Sequence, residues 1–180
     1  MTEDEFDNTW CYFRIIESDL QNTSRFVEVC ENNLKTYSSE FAKIIMITCS
    51  EIDSLCKMLC DFTDPKKNYN MMKDYANILL KRKPHLTERI AFIGTLHCTP
   101  WDGLKIEPEY DSPLWWKEYQ KIKHNRYNNF EKANLENALQ AVGALFVLLK
   151  SFEPTIRLAA HSFKMSDEKY VRTGVFYNQP

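Results

Sequence analysis

The segment from Trp115 to Arg126, WWKEYQKIKHNR, runs without a break into the apolar stretch Ala138–Leu149. Together they predict one long helix that forms part of the core. At 100° per residue, one narrow stripe of that helix collects residues 119, 122, 126, 130, 133, 137, 141, 144 and 148. Arg126 and Asn137 stand where this stripe should be apolar. Because a buried guanidinium without a partner costs several kcal/mol or more, Arg126 predicts a nearby carboxylate or a ligand site.

The composition is that of a globular, mainly helical protein. The chain has 180 residues, with four glycines, seven prolines, 44% hydrophobic and 27% charged residues, enough for one domain with its own core. A formal net charge of −2 gives no overall basic excess of the kind that nucleic-acid binders often carry. The six cysteines form no C-x-x-C pair, and the first five residues are acidic rather than signal-like. We therefore expect reduced thiols, a cytoplasmic location and no membrane span.

Hydrophobic periodicity predicts an all-α fold, a bundle of four to five main helices. Residues 89–110 interrupt it as a small irregular or two-stranded insertion, with strands expected over 89–96 and 104–106. We expect one domain over residues 1–180, with its core in 10–152 and a C-terminal helix and tail in 153–180. A break is possible at residues 22–24, and Ser38 or Ser39 can cap the second helix. The predicted helices span residues 5–34, 41–62, 70–80, 112–152 and 155–162.

Glu51 is the candidate partner of Arg126. It lies at the margin of the second helix's apolar stripe, so antiparallel packing of the second and fourth helices would bring it near Lys123 and Arg126, which lie about one turn apart. Two interpretations stay open. The pair is a structural ion pair that fixes the helix register, or it belongs to a ligand site.

His124 and the two tryptophans also carry alternatives. His124 lies about 160° around the helix from Arg126, so it should face solvent or a second copy of the chain. Trp115 and Trp116 place one ring on each side of the helix start. Such rings either pack in the core or, for Trp116, offer a stacking surface for a base.

The pattern W-W-x-x-Y-x-x-I-K-H-N-R-x-x-x-F-x-x-A, continued by N-x-x-x-A-L-x-A-V-G-A-L-F, resembles the bacterial HEPN-like helical proteins. The resemblance covers about residues 10–152 and is strongest over 115–146. It implies a bundle of four or more helices and commonly a homodimer. Many members are metal-independent ribonucleases of toxin–antitoxin, abortive-infection and other defence systems, whereas others have lost catalysis. The resemblance thus implies an RNA or nucleotide ligand and an antitoxin partner.

The chain departs from the catalytic pattern of that family, in which four to six residues separate an arginine from a following histidine. Two residues separate Arg82 from His85, seven separate Arg89 from His97 and three separate Arg157 from His161. The inverted His124-Asn125-Arg126 is the nearest substitute.

Carried over from the family, that tripeptide gives His124 as the base and Arg126 as the phosphate clamp. The predicted binding residues are Glu51, Lys123, Asn125 and Trp116. The alternative is a noncatalytic helical protein that acts in binding or assembly.

Three cysteines share one edge of the second helix. Cys49, Cys56 and Cys60 recur at spacings of seven and four. Thiolate metal sites usually draw ligands from two elements, whereas a buried free cysteine is an ordinary small hydrophobe. We expect no metal and no cofactor.

Overall fold

The computed structural model describes residues 3–63, 68–157 and 170–172, with side chains over 4–63 and 68–152. It confirms the predicted all-α bundle with a small β insertion. The helices are α1 (Glu3–Thr23), α2 (Ser39–Thr63), α3 (Met72–Arg82), α4 (Leu114–Asn125) and α5 (Leu135–Arg157), and the strands are β1 (Ile90–Ile93), β2 (Leu96–Cys98) and β3 (Tyr170–Arg172). Short 3₁₀ turns cover Glu31–Asn33, Leu86–Glu88 and Tyr127–Lys132.

Side-chain hydrogen bonds to the backbone mark the end of α1 and the start of α2. α1 stops at Thr23, so the predicted helix over 5–34 is too long and ends within its possible break at residues 22–24. There the Thr23 hydroxyl donates to the Leu20 carbonyl at 2.6 Å. Ser38 caps α2, because its Oγ accepts the Phe41 N–H at 3.1 Å. The predicted α2 stripe is buried from Phe41 to Leu59, but Phe62 at its end is 58% exposed.

α5 is the central helix. It packs against α1, α2, α4 and the β1–β2 hairpin, and every residue from Ala141 to Leu149 is buried. Its window Leu135–Phe152 is long and apolar enough to cross a membrane, although no such run was predicted. Within the bundle, 83% of that window is buried, so it packs as a core helix.

The insertion is a hairpin, and its second strand differs from the prediction. β1 pairs antiparallel with β2 through the two-residue turn Gly94-Thr95, and β3 adds in parallel to the other edge of β1. The tight turn requires positive φ, which Gly94 supplies at 61°. The predicted strand over 104–106 is wrong, because that segment forms a single bridge, from Lys105 to Asp111.

The predicted continuous helix over 112–152 is also wrong, because it breaks after Asn125. The Asn125 Oδ1 accepts the Asn128 N–H at 3.2 Å, and the Asn129 amide donates to the Asn125 carbonyl at 2.8 Å. Asn129 itself leaves the helical conformation, at φ −132°. Asparagine side chains compete with helical backbone bonds in this way, so α5 begins afresh at Leu135.

The C-terminal end of α5 lies beyond the predicted one. The helix continues past Pro154 to Arg157 instead of stopping near Phe152. A proline removes one helical hydrogen bond and can kink a helix without ending it. Most of the predicted helix over 155–162 lies outside the described residues.

Candidate functional site

A cleft of about 530 Å³ opens between α2, the start of α3 and α4. We call it the α2–α4 cleft. Its size is in the range of small-molecule sites, which are commonly ~300–1,000 Å³. The lining residues are Ser50, Asp53, Lys57, Asn70, Met71, Met72, Lys73, Tyr110, Trp116, Tyr119, Gln120 and Lys123.

Helical spacing explains how two walls of the cleft are built. Residues at i, i+3, i+4 and i+7 fall on one face of a helix. On α2 that face presents Ser50, Asp53 and Lys57 to the cleft, and on α4 it presents Trp116, Tyr119, Gln120 and Lys123. The two walls meet because α2 contacts both α3 and α4.

Asp53 is the carboxylate of this lining and is held from two sides. Its Oδ2 accepts the Lys57 Nζ at 2.7 Å, and its Oδ1 accepts the Tyr75 hydroxyl at 2.8 Å. Burial and the bond to Asp53 raise the pKa of Tyr75, so this hydroxyl stays a donor at neutral pH. The Tyr75 bond also links α2 to α3.

Three lysines give the cleft a basic character that the whole chain lacks. Lys57 is paired with Asp53, and Lys73 is paired with Glu107. The Nζ of Lys123 lies 5.6 Å from the centroid of the Tyr119 ring, and among the described residues it has no carboxylate partner. Its ammonium group is therefore available to an anion.

The remaining lining residues offer flat and hydrogen-bonding surfaces. Trp116 and Tyr119 are mostly in the core, at 7% and 4% exposure, whereas Met71 is 58% exposed. Burial raises the pKa of Tyr119 to about 12, so its ring stays neutral. Asn70 and Gln120 add two amides that can donate and accept. The cleft can thus hold an anion, a flat ring and the polar edge of that ring.

The structure brings only some of the predicted site residues together. Trp116 and Lys123 line the cleft, whereas Asn125 does not. Asn125 is the last residue of α4, and its side chain accepts a hydrogen bond from the turn that follows. His124 is exposed, as its helical position predicts. Within the described residues it has no hydrogen bond to Arg126.

The expected burial of Arg126 and its pairing with Glu51 are both wrong. Arg126 is exposed and lies 5.8 Å from the centroid of the Phe130 ring. It is the C-cap residue of α4, at the point where this helix ends. Glu51 is half-buried beside the Thr9 hydroxyl of α1, and burial raises its pKa. Asn137 is buried as expected, and its amide donates to the Lys132 carbonyl at 2.8 Å.

Three cysteines of α2 pack in the core. Cys49, Cys56 and Cys60 are buried, and burial raises the pKa values of the Cys49 and Cys56 thiols. Over the residues that the structure describes, no group of three histidine, cysteine or acidic side chains is placed to hold a metal ion.

Local sequence patterns do not identify the other cleft residues. Asp53 and Lys57 have the i, i+4 spacing at which ion pairs form on a helix, but that spacing does not place them in a cleft. Lys73 and Tyr110 come from segments far from α2 and α4 in sequence, so no local pattern placed them in this cleft.

Comparisons with known proteins add no relative. No protein-family model, curated protein or solved structure matches this chain significantly. The HEPN-like resemblance therefore stays a prediction.

Proposed function

We propose that this chain is a HEPN-like helical protein that binds a nucleotide unit, free or within RNA, in the α2–α4 cleft. The observation that carries the proposal is the meeting of three lysines, several aromatic rings and two amides in one cleft of about 530 Å³. A nucleotide needs these three kinds of group. Its phosphate takes cations, its base takes flat apolar surfaces, and the base edge takes donors and acceptors.

Lys123 is the first phosphate ligand of this proposal. It is the lysine of the lining without a carboxylate partner among the described residues, whereas Lys57 and Lys73 are already paired. The base would lie toward Tyr110, Met71 and Trp116. Because the contact is largely electrostatic, binding should weaken as salt rises.

The wider setting is part of the same proposal and rests on the family resemblance. It consists of a homodimer in a bacterial cytoplasm, within a defence or toxin–antitoxin system and with an antitoxin partner. The family's ribonuclease activity would require His124 and Arg126 to meet a second copy, since in one chain both are exposed. The alternative is a noncatalytic protein of binding or assembly.

Calorimetric titration with AMP, GMP, CMP and UMP tests the binding proposal. We expect saturable binding of at least one of them by the wild type, and Lys123→Ala should weaken it about tenfold or more, since a charged hydrogen bond contributes roughly 1.5–3 kcal/mol. Lys121→Ala is the matched control, because Lys121 lies on the same helix but outside the cleft lining, bound to Glu118 at 2.8 Å. No binding by the wild type, or an equal loss in both variants, contradicts the proposal.

A cleavage assay separates the catalytic from the noncatalytic form of the proposal. Mixed RNA is incubated in excess chelator with wild type, Arg126→Ala and His124→Ala. Cleavage that is lost in both variants establishes a metal-independent ribonuclease with these residues in its site. No cleavage by the wild type favours the noncatalytic role.

A further inference from the structure

The carboxylate of Asp53 has no evident role in binding a phosphate or a base. A carboxylate repels an anionic ligand, yet this one lies among three lysines on the cleft wall. Its geometry is fixed, because Lys57 and Tyr75 occupy one site on each of its two oxygens. An ionised carboxylate has about four acceptor sites, so about two are left for a ligand.

The free sites of Asp53 call for a neutral donor that accompanies a phosphate and a base. The side chain of Asp53 is 30% exposed, so a ligand can reach it. Within a nucleotide, the group between phosphate and base is the sugar, and a ribose carries two neighbouring hydroxyls. A carboxylate that accepts from such hydroxyls is an established way to recognise ribose.

We propose that Asp53 accepts hydrogen bonds from the ribose hydroxyls and makes the cleft selective for ribonucleotides over 2′-deoxyribonucleotides. Tyr75 and Lys57 act as positioning residues that hold the carboxylate toward the ligand. This inference rests on the proposed nucleotide binding and adds a specificity determinant to it.

Paired titrations test the inference, with AMP, GMP, CMP and UMP each compared with its 2′-deoxy counterpart. The wild type should bind the ribonucleotide about tenfold more tightly, the effect of a hydrogen bond to a charged group. In Asp53→Asn that ratio should fall close to one. The affinity for the deoxynucleotide should not fall, because the variant also removes a negative charge from the cleft.

Two further variants make the outcome specific. Asp61→Asn removes the same charge from the exposed surface of α2, outside the cleft lining, and should keep the wild-type ratio. Tyr75→Phe keeps the carboxylate but removes one of its supports, so the ratio should fall about threefold; this variant also serves if Asp53→Asn does not fold.

Each contrary result has its own meaning. Equal wild-type affinities for both sugars overturn the selectivity and leave nucleotide binding intact. A ratio that persists in folded Asp53→Asn overturns the assignment to Asp53. If the wild type binds none of the eight nucleotides, the proposed function fails and this inference fails with it.

Discussion

At the scale of single residues, Gly143 sets how closely α5 approaches the hairpin. A Cβ at this position would lie 3.0 Å from the Cys98 Sγ and 3.2 Å from the Ala91 Cβ. Both distances are shorter than ordinary packing contacts. A larger side chain would therefore push β1 and β2 away from the core, so we expect Gly143→Val to lower the free energy of unfolding by about 1–3 kcal/mol.

Urea unfolding followed by circular dichroism measures this change. Gln140→Val is the control, since it places the same β-branched side chain one turn earlier on α5, beside open cavities. The control should lose only the few tenths of a kcal/mol that helix propensity accounts for, about 0.5 or less. An equal decrease in the free energy of unfolding in the two variants would show that the close contact with the hairpin does not affect stability.

At the scale of elements, the start of α5 depends on Asn134. Its Oδ1 accepts the Asn137 N–H at 3.0 Å, and its amide donates to the Glu131 carbonyl at 3.0 Å. Asn134→Ala removes the cap, so the free energy of unfolding should fall by about 1–2 kcal/mol. Asn134→Asp keeps the acceptor and should lose less. Denaturant midpoints of the three proteins decide the matter, and an alanine variant as stable as the wild type would contradict the capping role.

The helices also show which features could be predicted from the sequence and which could not. Periodicity located α2 and its cap, because the apolar stripe and Ser38 act locally. It missed the break after Asn125, because Ala133 and Asn137 continue the stripe of α4 as if the helix were unbroken. The break comes from asparagine side chains that bond the backbone, which hydrophobic periodicity does not register.

Only some of the cleft residues could be predicted from the sequence. Trp116 and Lys123 lie on a face whose spacing is visible in the sequence. Asp53 and Lys73 join them only through the packing of α2, α3 and α4, and the angles between helices depend on the whole core. Arg126 was misplaced because its burial was inferred from one continuous helix, whereas α4 ends at Asn125.

At the scale of the whole molecule, two buried thiols, the half-buried thiol of Cys98 and the buried phenol of Tyr119 link folding to pH. Burial raises the pKa of Cys98 from 9.0 to about 12 and that of Tyr119 from 10.0 to about 12, and it raises those of Cys49 and Cys56 in the same direction. In the folded chain these groups keep their protons to a higher pH than they do in the unfolded chain. Their contribution to stability is complete below the unfolded pKa values, near 9 for the thiols and near 10 for Tyr119, and is lost as the pH rises toward the folded values.

We therefore expect the free energy of unfolding to fall steadily between about pH 9 and pH 12, by roughly 1.4 kcal/mol per pH unit for each linked thiol. Urea unfolding at closely spaced pH values measures the slope. Cys98→Ala removes one linked group, so its slope should be shallower than that of the wild type, whereas Cys11→Ala removes an exposed thiol and should leave the slope unchanged. A flat profile up to pH 11 would contradict the linkage of these groups to folding.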